Sequence, residues 1–183
     1  GMGISYRYFN GVPLYPFGHG LSYTSFTYQH LTVKNNLSHN SVADASVDAS
    51  VDASVDACDV VHVSIDVTNT GGMDSYEVVQ CYVKQPSASV PVPNIRLAAF
   101  EKVFVSVNQT VTVNLDIFPK EHTAVVGAGG SAVGEDIYTA GSFVMIEKGM
   151  FELYCGNGQP QYNSVNVLEL KIMVNNEKAL NDC

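Results

Sequence analysis

Four acidic residues lie in segments that alternate between polar and apolar side chains: Glu77, Glu101, Asp116 and Glu152. Two carboxylates about 5 Å apart can serve as nucleophile and acid/base in a double displacement, so two of these residues could form a catalytic pair. Because each one alternates with apolar neighbours, we expect them on the solvent-facing side of strands. The sequence therefore predicts a polar outer face here and no catalytic residue.

Two histidines are the other candidates for acid/base chemistry. His19 stands between Gly18 and Gly20. It has no acid at a fixed spacing and no G-x-S-x-G nucleophile turn, which favours a role in a turn. His62 alternates outward along an apolar segment, and we expect it to be solvated.

The four cysteines are Cys58, Cys81, Cys155 and Cys183. None of them forms a C-x-x-C pair, so no zinc site is predicted, and three complete pairings are open. In the alternating pattern of their segments, Cys81 and Cys155 fall on the same side as the apolar, core-facing residues. They are therefore predicted to be buried thiols or one disulfide between two sheets, if their Cα atoms lie within about 7 Å. Cys183 belongs to a polar tail, where it is expected to be unpaired or bonded to another chain.

A tetrapeptide repeat, Ser-Val-Asp-Ala, occupies 46–49, 50–53 and 54–57. On a helix its acids would fall on one stripe and repel each other. The repeat has no glycine turn or bidentate glutamate in EF-hand order, so no cation site is predicted. We expect a mobile, solvated loop of low complexity.

The segment 119–141 is rich in glycine and alanine and contains a G-x-G-x-x-A pattern. That pattern binds a dinucleotide only where it follows a strand and begins a helix. Gly134 and Gly141 interrupt any following helix, and no βαβ unit surrounds the segment. An inter-strand loop without a cofactor is predicted.

Composition excludes several classes of protein. The chain has 183 residues, of which 46% are hydrophobic and 15% charged, as expected of a globular domain. Its formal charge of −9 argues against a nucleic-acid partner. No apolar run reaches the roughly 18 residues of a membrane span. Two glycosylation sequons begin at Asn36 and Asn108, and together with the cysteines they favour a secreted protein.

Alternation with period two is the main structural signal. It is clearest at 61–68, 111–117, 151–155 and 168–174, and weaker at 26–33, 78–84, 97–105 and 143–147. Such segments, rich in β-branched residues, are typical of strands with one buried face. Seven or eight short strands without an amphipathic helix predict an all-β sandwich.

The segment 6–24 carries two prolines, three glycines and many aromatic residues, which forbids a long helix. It resembles the junction before the C-terminal fibronectin type III-like domain of family 3 glycoside hydrolases, the β-glucosidases and β-xylosidases. Cys81 stands where the family's strand has leucine, and the turn at Gln159-Pro160 resembles the β-xylosidase branch. The further matching segments, in order, are 67–71, 77–83, 97–103, 111–115 and 151–156.

The resemblance implies a fibronectin type III-like, immunoglobulin-like sandwich of about seven strands, preceded by a non-regular linker. Residues 1–23 would be the end of a preceding α/β domain and its linker. Residues 24–175 would form the sandwich, with 41–57 as a low-complexity insertion. Residues 176–183 would form a C-terminal tail.

In the resembled family the nucleophile lies on a barrel and the acid/base residue on an α/β domain, and both precede this region. No catalytic residue carries over. The resemblance thus implies an accessory domain, not catalytic on its own, without metal or cofactor. Its parent would be a secreted or lysosome-like exo-β-glycosidase that releases terminal xylose or glucose from oligosaccharides. Its partners would be the barrel and the α/β domain, with room for an oligosaccharide near the domain interface.

Two alternatives stay open. The sandwich could be a detached, free-standing extracellular interaction or matrix module without hydrolase activity. It could also bind sugars through the aromatic residues of 6–23. The absence of tryptophan speaks against a sugar platform. We therefore expect these aromatic residues to pack between the linker and its neighbouring domain.

Overall fold

The computed structural model describes residues 5–34, 40–43, 52–122, 124–126, 143–160, 162 and 166–183. Within these residues strands dominate, and the helical elements are two short 3-10 turns, Pro119–His122 and Leu180–Asp182. Residues 5–25 form no regular element. The predicted all-β class with a non-regular N-terminal segment is confirmed.

The first sheet has four antiparallel strands in the order β2-β1-β4-β7. They are β1 (Phe26–Lys34), β2 (Asn40–Ala43), β4 (Val61–Asn69) and β7 (Thr110–Ile117). In β4 every second residue from Val61 to Val67 is buried, while His62 is exposed. This alternation places one face of the sheet on the core.

The second sheet has five strands in the order β3-β11-β10-β5-β6, in which only β3 runs parallel to its neighbour. They are β3 (Ala53–Val55), β5 (Ser75–Lys84), β6 (Arg96–Val105), β10 (Gly149–Gly156) and β11 (Val167–Val174). A third, small sheet joins β8 (Ala124–Val126), β9 (Phe143–Ile146) and β12 (Lys178–Ala179).

The core lies between the inner faces of the two large sheets. Ile65 of the first sheet and Val79, Cys81 and Cys155 of the second are completely buried. Burying one such apolar side chain contributes about 1.5–3 kcal/mol, so the paired inner faces are the main source of stability. The described residues hold more strands than predicted because the additional ones have two to four residues, too few to show alternation.

The last copy of the repeat contradicts the predicted solvated loop. Ala53–Val55 is strand β3, which pairs with β11 at the edge of the second sheet. Ala53 and Val55 are 5% and 3% exposed. The prediction was wrong for 52–57 because the alternating valine and alanine side chains fit an edge strand; 44–51 lie outside the described residues. The predicted loop 119–141 is also interrupted, by strand β8.

The cysteines form two disulfides, Cys58–Cys183 and Cys81–Cys155. Cys81 and Cys155 lie directly opposite each other on β5 and β10, with Cα atoms 4.2 Å apart. Their bond therefore joins neighbouring strands of one sheet. The prediction of a disulfide between the two sheets was wrong. Cys183 is bonded within the chain, so the expectation of an unpaired or intermolecular thiol was wrong.

Candidate functional site

Three of the four acidic candidates lie on polar surfaces of the sandwich. Asp116 accepts a hydrogen bond from His62 at 2.7 Å on the outer face of the first sheet. Glu101 is exposed on the edge strand β6, but it lies opposite Val79 and so is on the core-facing side of the sheet, contrary to the prediction. Glu152 pairs with Lys84 Nζ at 2.9 Å. Burial alone would raise the pKa of Glu152, but the hydrogen bonds from Lys84 and Tyr154 hold it below its usual range.

Glu77 departs from the prediction of an outward-facing acid. Along β5 it shares its face with the buried Val79 and Cys81. The hydroxyl of Tyr28, in the other large sheet, donates a 2.6 Å hydrogen bond to Glu77 Oε1. Burial raises the pKa of Glu77. The pair therefore bridges the two sheets, and the parity of Glu77 with Val79 was a usable signal for it.

The two histidine candidates stay apart from these acids, except for the contact between His62 and Asp116. His19 lies in a turn, as predicted: its N–H donates to Pro16 O at 3.1 Å, and its ring stacks on Tyr15 at 5.1 Å. In the part of the chain that the structure describes, no group of three or more His, Cys, Asp or Glu could hold a metal ion.

The N-terminal segment 5–23 docks on the outer face of the second sheet. Tyr82 is completely buried beneath it, and its hydroxyl donates to Gln80 Oε1 at 2.6 Å. Gln80 Nε2 in turn donates to Gly18 O at 3.2 Å. The Phe17 ring meets Tyr82 edge-on at 6.5 Å. Sequence analysis missed Gln80 and Tyr82 as anchors; both take outward positions within 79–83, the part of β5 that is buried on both faces.

Further contacts hold the start of this segment. The Tyr6 ring stacks on Phe17 at 3.9 Å, and the Tyr6 hydroxyl accepts the Leu97 N–H at 3.1 Å. Arg7 O accepts the Asn94 N–H at 2.7 Å. Tyr6 and Phe17 thus pack on the sandwich of this same chain.

Gly18 is required for this docking, and we expect Gly18→Val to loosen it. Gly18 has φ +79°, and a Cβ there would fall on the Gln80 amide. Strain together with the lost hydrogen bond should lower the free energy of unfolding by about 2 kcal/mol, measured by urea denaturation. Gly20→Val is the matched control, because a Cβ at Gly20 meets no atom within 4 Å. An equal loss in both variants would contradict the role of Gly18.

Beside these anchors the segment leaves large apolar side chains in solvent. Val12, Leu14, Leu21 and Tyr23 are 90%, 88%, 94% and 94% exposed. We call these four residues the apolar segment. Large apolar patches that stay exposed on a soluble protein mark interaction sites.

The outer face of the second sheet continues this surface. Tyr76, Val78, Phe100 and Phe104 are exposed there, and we call these four residues the aromatic face. The Tyr76 and Phe104 rings meet edge-on at 5.1 Å. A cleft of about 500 Å³ is lined by residues of both surfaces, among them Leu21, Tyr76 and Val78. Leu21 of the apolar segment therefore lies beside Tyr76 and Val78 of the aromatic face, and we call the apolar segment and the aromatic face together the docking surface.

A second cleft, of about 660 Å³, lies between the start of the N-terminal segment and the loops of the sandwich. Tyr6, Phe9, Asn94 and Gln159 are among its lining residues. Aromatic rings and amides are suited to polar, ring-shaped ligands such as sugars.

His122 is a buried titratable group that sequence analysis did not single out. It is 4% exposed and its ring meets Phe151 at 5.2 Å. Neither ring nitrogen has a hydrogen-bond partner among the described residues. Burial, and then the charge of Arg96, lower the pKa of His122 to about 4.

Of the two sequons, Asn36 lies outside the described residues. Asn108 is exposed in the turn between β6 and β7, with φ +59°. Its side chain is therefore open to solvent in the folded domain.

The fold and the sequence agree on the class. Residues 77–159 match the family described as Fibronectin type III-like domain. The chain is 40% identical over 122 residues to the thermostable beta-glucosidase B of Acetivibrio thermocellus, covering 63% of this chain and 14% of the relative. It is 31% identical over 115 residues to a putative beta-xylosidase of Formosa agariphila, covering 63% and 13%.

The structure is similar to beta-glucosidase 3B from Thermotoga neapolitana, solved in complex with glucose, with a TM-score of 0.64 and 26% identity. That match covers 95% of this chain and 19% of the solved chain. Residues 77–159 thus match a fibronectin type III-like domain, and the chain is similar to a part of proteins named beta-glucosidase and beta-xylosidase. It spans less than one fifth of the length of these relatives. No helix in the described residues is long and apolar enough to cross a membrane.

Proposed function

We propose that this chain is the non-catalytic accessory domain of a family 3 exo-β-glycosidase. Residues 1–23 are the end of a preceding α/β domain and its linker, 24–175 the sandwich and 176–183 the tail. The parent enzyme hydrolyses terminal β-linked glucose or xylose of oligosaccharides with retention, using carboxylates on its other domains. The role of this chain is to support the α/β domain.

One observation carries the proposal: the docking surface formed by the apolar segment and the aromatic face is uncovered. The apolar segment belongs to the part of the chain that leads out of the sandwich toward whatever precedes it. A preceding domain is therefore held next to this surface by the chain itself, at high effective concentration. Covering these side chains stabilises both domains through the hydrophobic effect.

A free-standing module is the second candidate, and the same surface argues against it. A detached domain would carry nearly fully exposed Leu14, Leu21 and Tyr23 in water, a liability for aggregation. The coding sequence upstream of Gly1 separates the two. A barrel with a nucleophilic aspartate supports the accessory domain, whereas a start codon and signal peptide there support the module.

The proposal extends to the environment of the protein. Two disulfides fit an oxidising compartment, so we assign the parent enzyme to a secreted or lysosome-like location. Asn108 is an accessible acceptor for an N-linked glycan there. The cleft near Tyr6 and Asn94 is where an oligosaccharide would meet this domain.

The test compares Leu21→Ser in this chain and in the parent enzyme. Because Leu21 is exposed here, the isolated chain should keep its Tm within about 1 °C and release no nitrophenol from aryl β-glucosides or β-xylosides. In the parent the same substitution should lower the Tm by about 3–6 °C, since the covered side chain is lost from an interface.

Asn114→Ala is the control, because Asn114 is exposed on the outer face of the first sheet. It should leave both proteins unchanged. Turnover by the isolated chain, or equal Tm shifts for Leu21→Ser in the chain and the parent, would refute the accessory role.

A further inference from the structure

The edge of β11 is filled by a short piece of the repeat, residues 52–57. Asp52 N–H donates to Lys171 O at 2.9 Å, and Val55 O accepts the Asn175 N–H at 3.0 Å. These two bonds hold the piece parallel to β11. Pairing of this kind, through main-chain groups, is how peptides add a strand to an open sheet edge.

Side chains of this piece add specificity. Asp52 Oδ2 accepts the Lys171 N–H at 3.0 Å, so a carboxylate takes the place of a main-chain acceptor. Asn176 Oδ1 accepts the Ala57 N–H at 2.8 Å. Val55 and Ala57 are 3% and 1% exposed and belong to the core. The edge thus selects aspartate, small residues and valine at defined positions.

The same six residues occur three times in the chain. Asp-Ala-Ser-Val-Asp-Ala stands at 44–49, 48–53 and 52–57. A shift of four residues keeps every side chain on its face, because strands alternate with period two. It also places an identical residue at each contact: Asp48 would replace Asp52, and Val51 would replace Val55.

We propose that the edge of β11 is a strand-addition site for this hexapeptide, and that the copy at 48–53 of the same chain occupies it when the last copy cannot. The site needs only contacts that all three copies can make. The upstream copies are tethered to it, so their effective concentration is high. This inference is independent of the proposed enzymatic context.

The residues after the repeat explain why the last copy fills the site in the structure. Cys58 is bonded to Cys183. Asp59 closes a turn, in which Asp56 N–H donates to Asp59 Oδ2 at 3.1 Å and Asp59 N–H donates to Asp56 O at 3.0 Å. A shift by one copy keeps the edge pairing, loses this turn and leaves residues 54–57 as an extra loop.

The test places a charge in the buried position by Val55→Asp. The variant is made in the natural chain and in a chain whose residues 44–51 are replaced by a Gly-Ser spacer of equal length. In the spacer chain no second copy can supply a valine, so the Tm should fall by about 10 °C relative to the spacer chain alone. In the natural chain the fall should be less than half as large, because Val51 takes the place of Val55.

Hydrogen exchange gives a second measurement. In Val55→Asp of the natural chain, the Asp48 amide should become at least tenfold slower to exchange, since it replaces the Asp52 amide as donor to Lys171 O. Equal Tm losses in the two backgrounds, no loss in the spacer background, or an unchanged Asp48 amide would each overturn the proposal. A rescue that grows with protein concentration would also overturn it, because the strand would then come from a second molecule.

Discussion

Replacing Asn69 by alanine will lower the free energy of unfolding by about 4 kcal/mol, because a completely buried amide loses every hydrogen bond it makes. Asn69 Nδ2 donates to Met73 O at 2.8 Å and to Val105 O at 3.0 Å. Its Oδ1 accepts from Thr24 Oγ1 at 2.7 Å and from the Gly71 N–H at 3.1 Å. Both carbonyl groups would lose this donor, and Val105 O would lose it in the protein interior.

The position of Asn69 adds to the effect. Its side chain connects Thr24, which directly follows the N-terminal segment, with the turn after β4 and the last residue of β6. The loss should therefore also weaken the docking of the segment on the sheet. Urea denaturation measures the change.

Asn114→Ala is the matched control, since Asn114 is an exposed asparagine on a neighbouring strand. It should change the free energy of unfolding by less than about 0.5 kcal/mol. A loss below about 1 kcal/mol for Asn69→Ala would mean that water or the backbone satisfies Met73 O and Val105 O equally well.

Acidification will destabilise the domain through His122, by about 3 kcal/mol between pH 6.5 and pH 4. The pKa of this imidazole falls from about 6.5 in the unfolded chain to about 4 in the folded one, because of burial and then the charge of Arg96. Each pKa unit corresponds to about 1.4 kcal/mol. Glu121 precedes His122 in the same 3-10 turn, and its carboxylate lies 4.0 Å from Arg96 Nε.

The direction follows from proton binding. Between about pH 6.5 and pH 4, His122 is protonated in the unfolded chain and neutral in the folded chain. The free energy of unfolding therefore decreases across this window as the pH falls. The loss is complete below pH 4. The raised pKa of Glu77 acts in the opposite sense, since protonation of that carboxyl favours the folded state.

His122→Leu isolates the contribution of the imidazole. Denaturation curves give the free energy of unfolding at pH 7 and at pH 4. The decrease between these two pH values should be about 3 kcal/mol smaller in this variant than in the natural chain. His62→Gln removes an exposed histidine and should leave the difference nearly unchanged, apart from its contact with Asp116. If His122→Leu loses as much unfolding free energy between pH 7 and pH 4 as the natural chain does, another group causes the pH dependence.

The alternation of apolar and polar residues was enough to predict the sandwich. In β4 the pattern from Val61 to Val67 states which face is buried, and the same holds for Phe151 and Leu153 in β10. Period-two burial is a local property of a strand, so it can be read without knowing which strand lies beside it. The N-terminal segment was also recognised as non-regular from its prolines and glycines.

The covering of the outer face could not be predicted in this way. Gln80 and Tyr82 have the parity of solvent-facing residues, yet Phe17 and Gly18 cover them. Which segment lies over a sheet depends on the path of the chain, and no spacing within β5 records that path.

The sequence by itself determined the class of fold, the buried faces of the long strands and the non-regular segment before them, because these follow from residues close together in the chain. Only the tertiary structure decided that the last repeat copy is a strand, that Cys58 pairs with Cys183, and that His122 is buried without a partner. Each of these depends on groups far apart in sequence, and their meeting is settled by the packing of the whole domain.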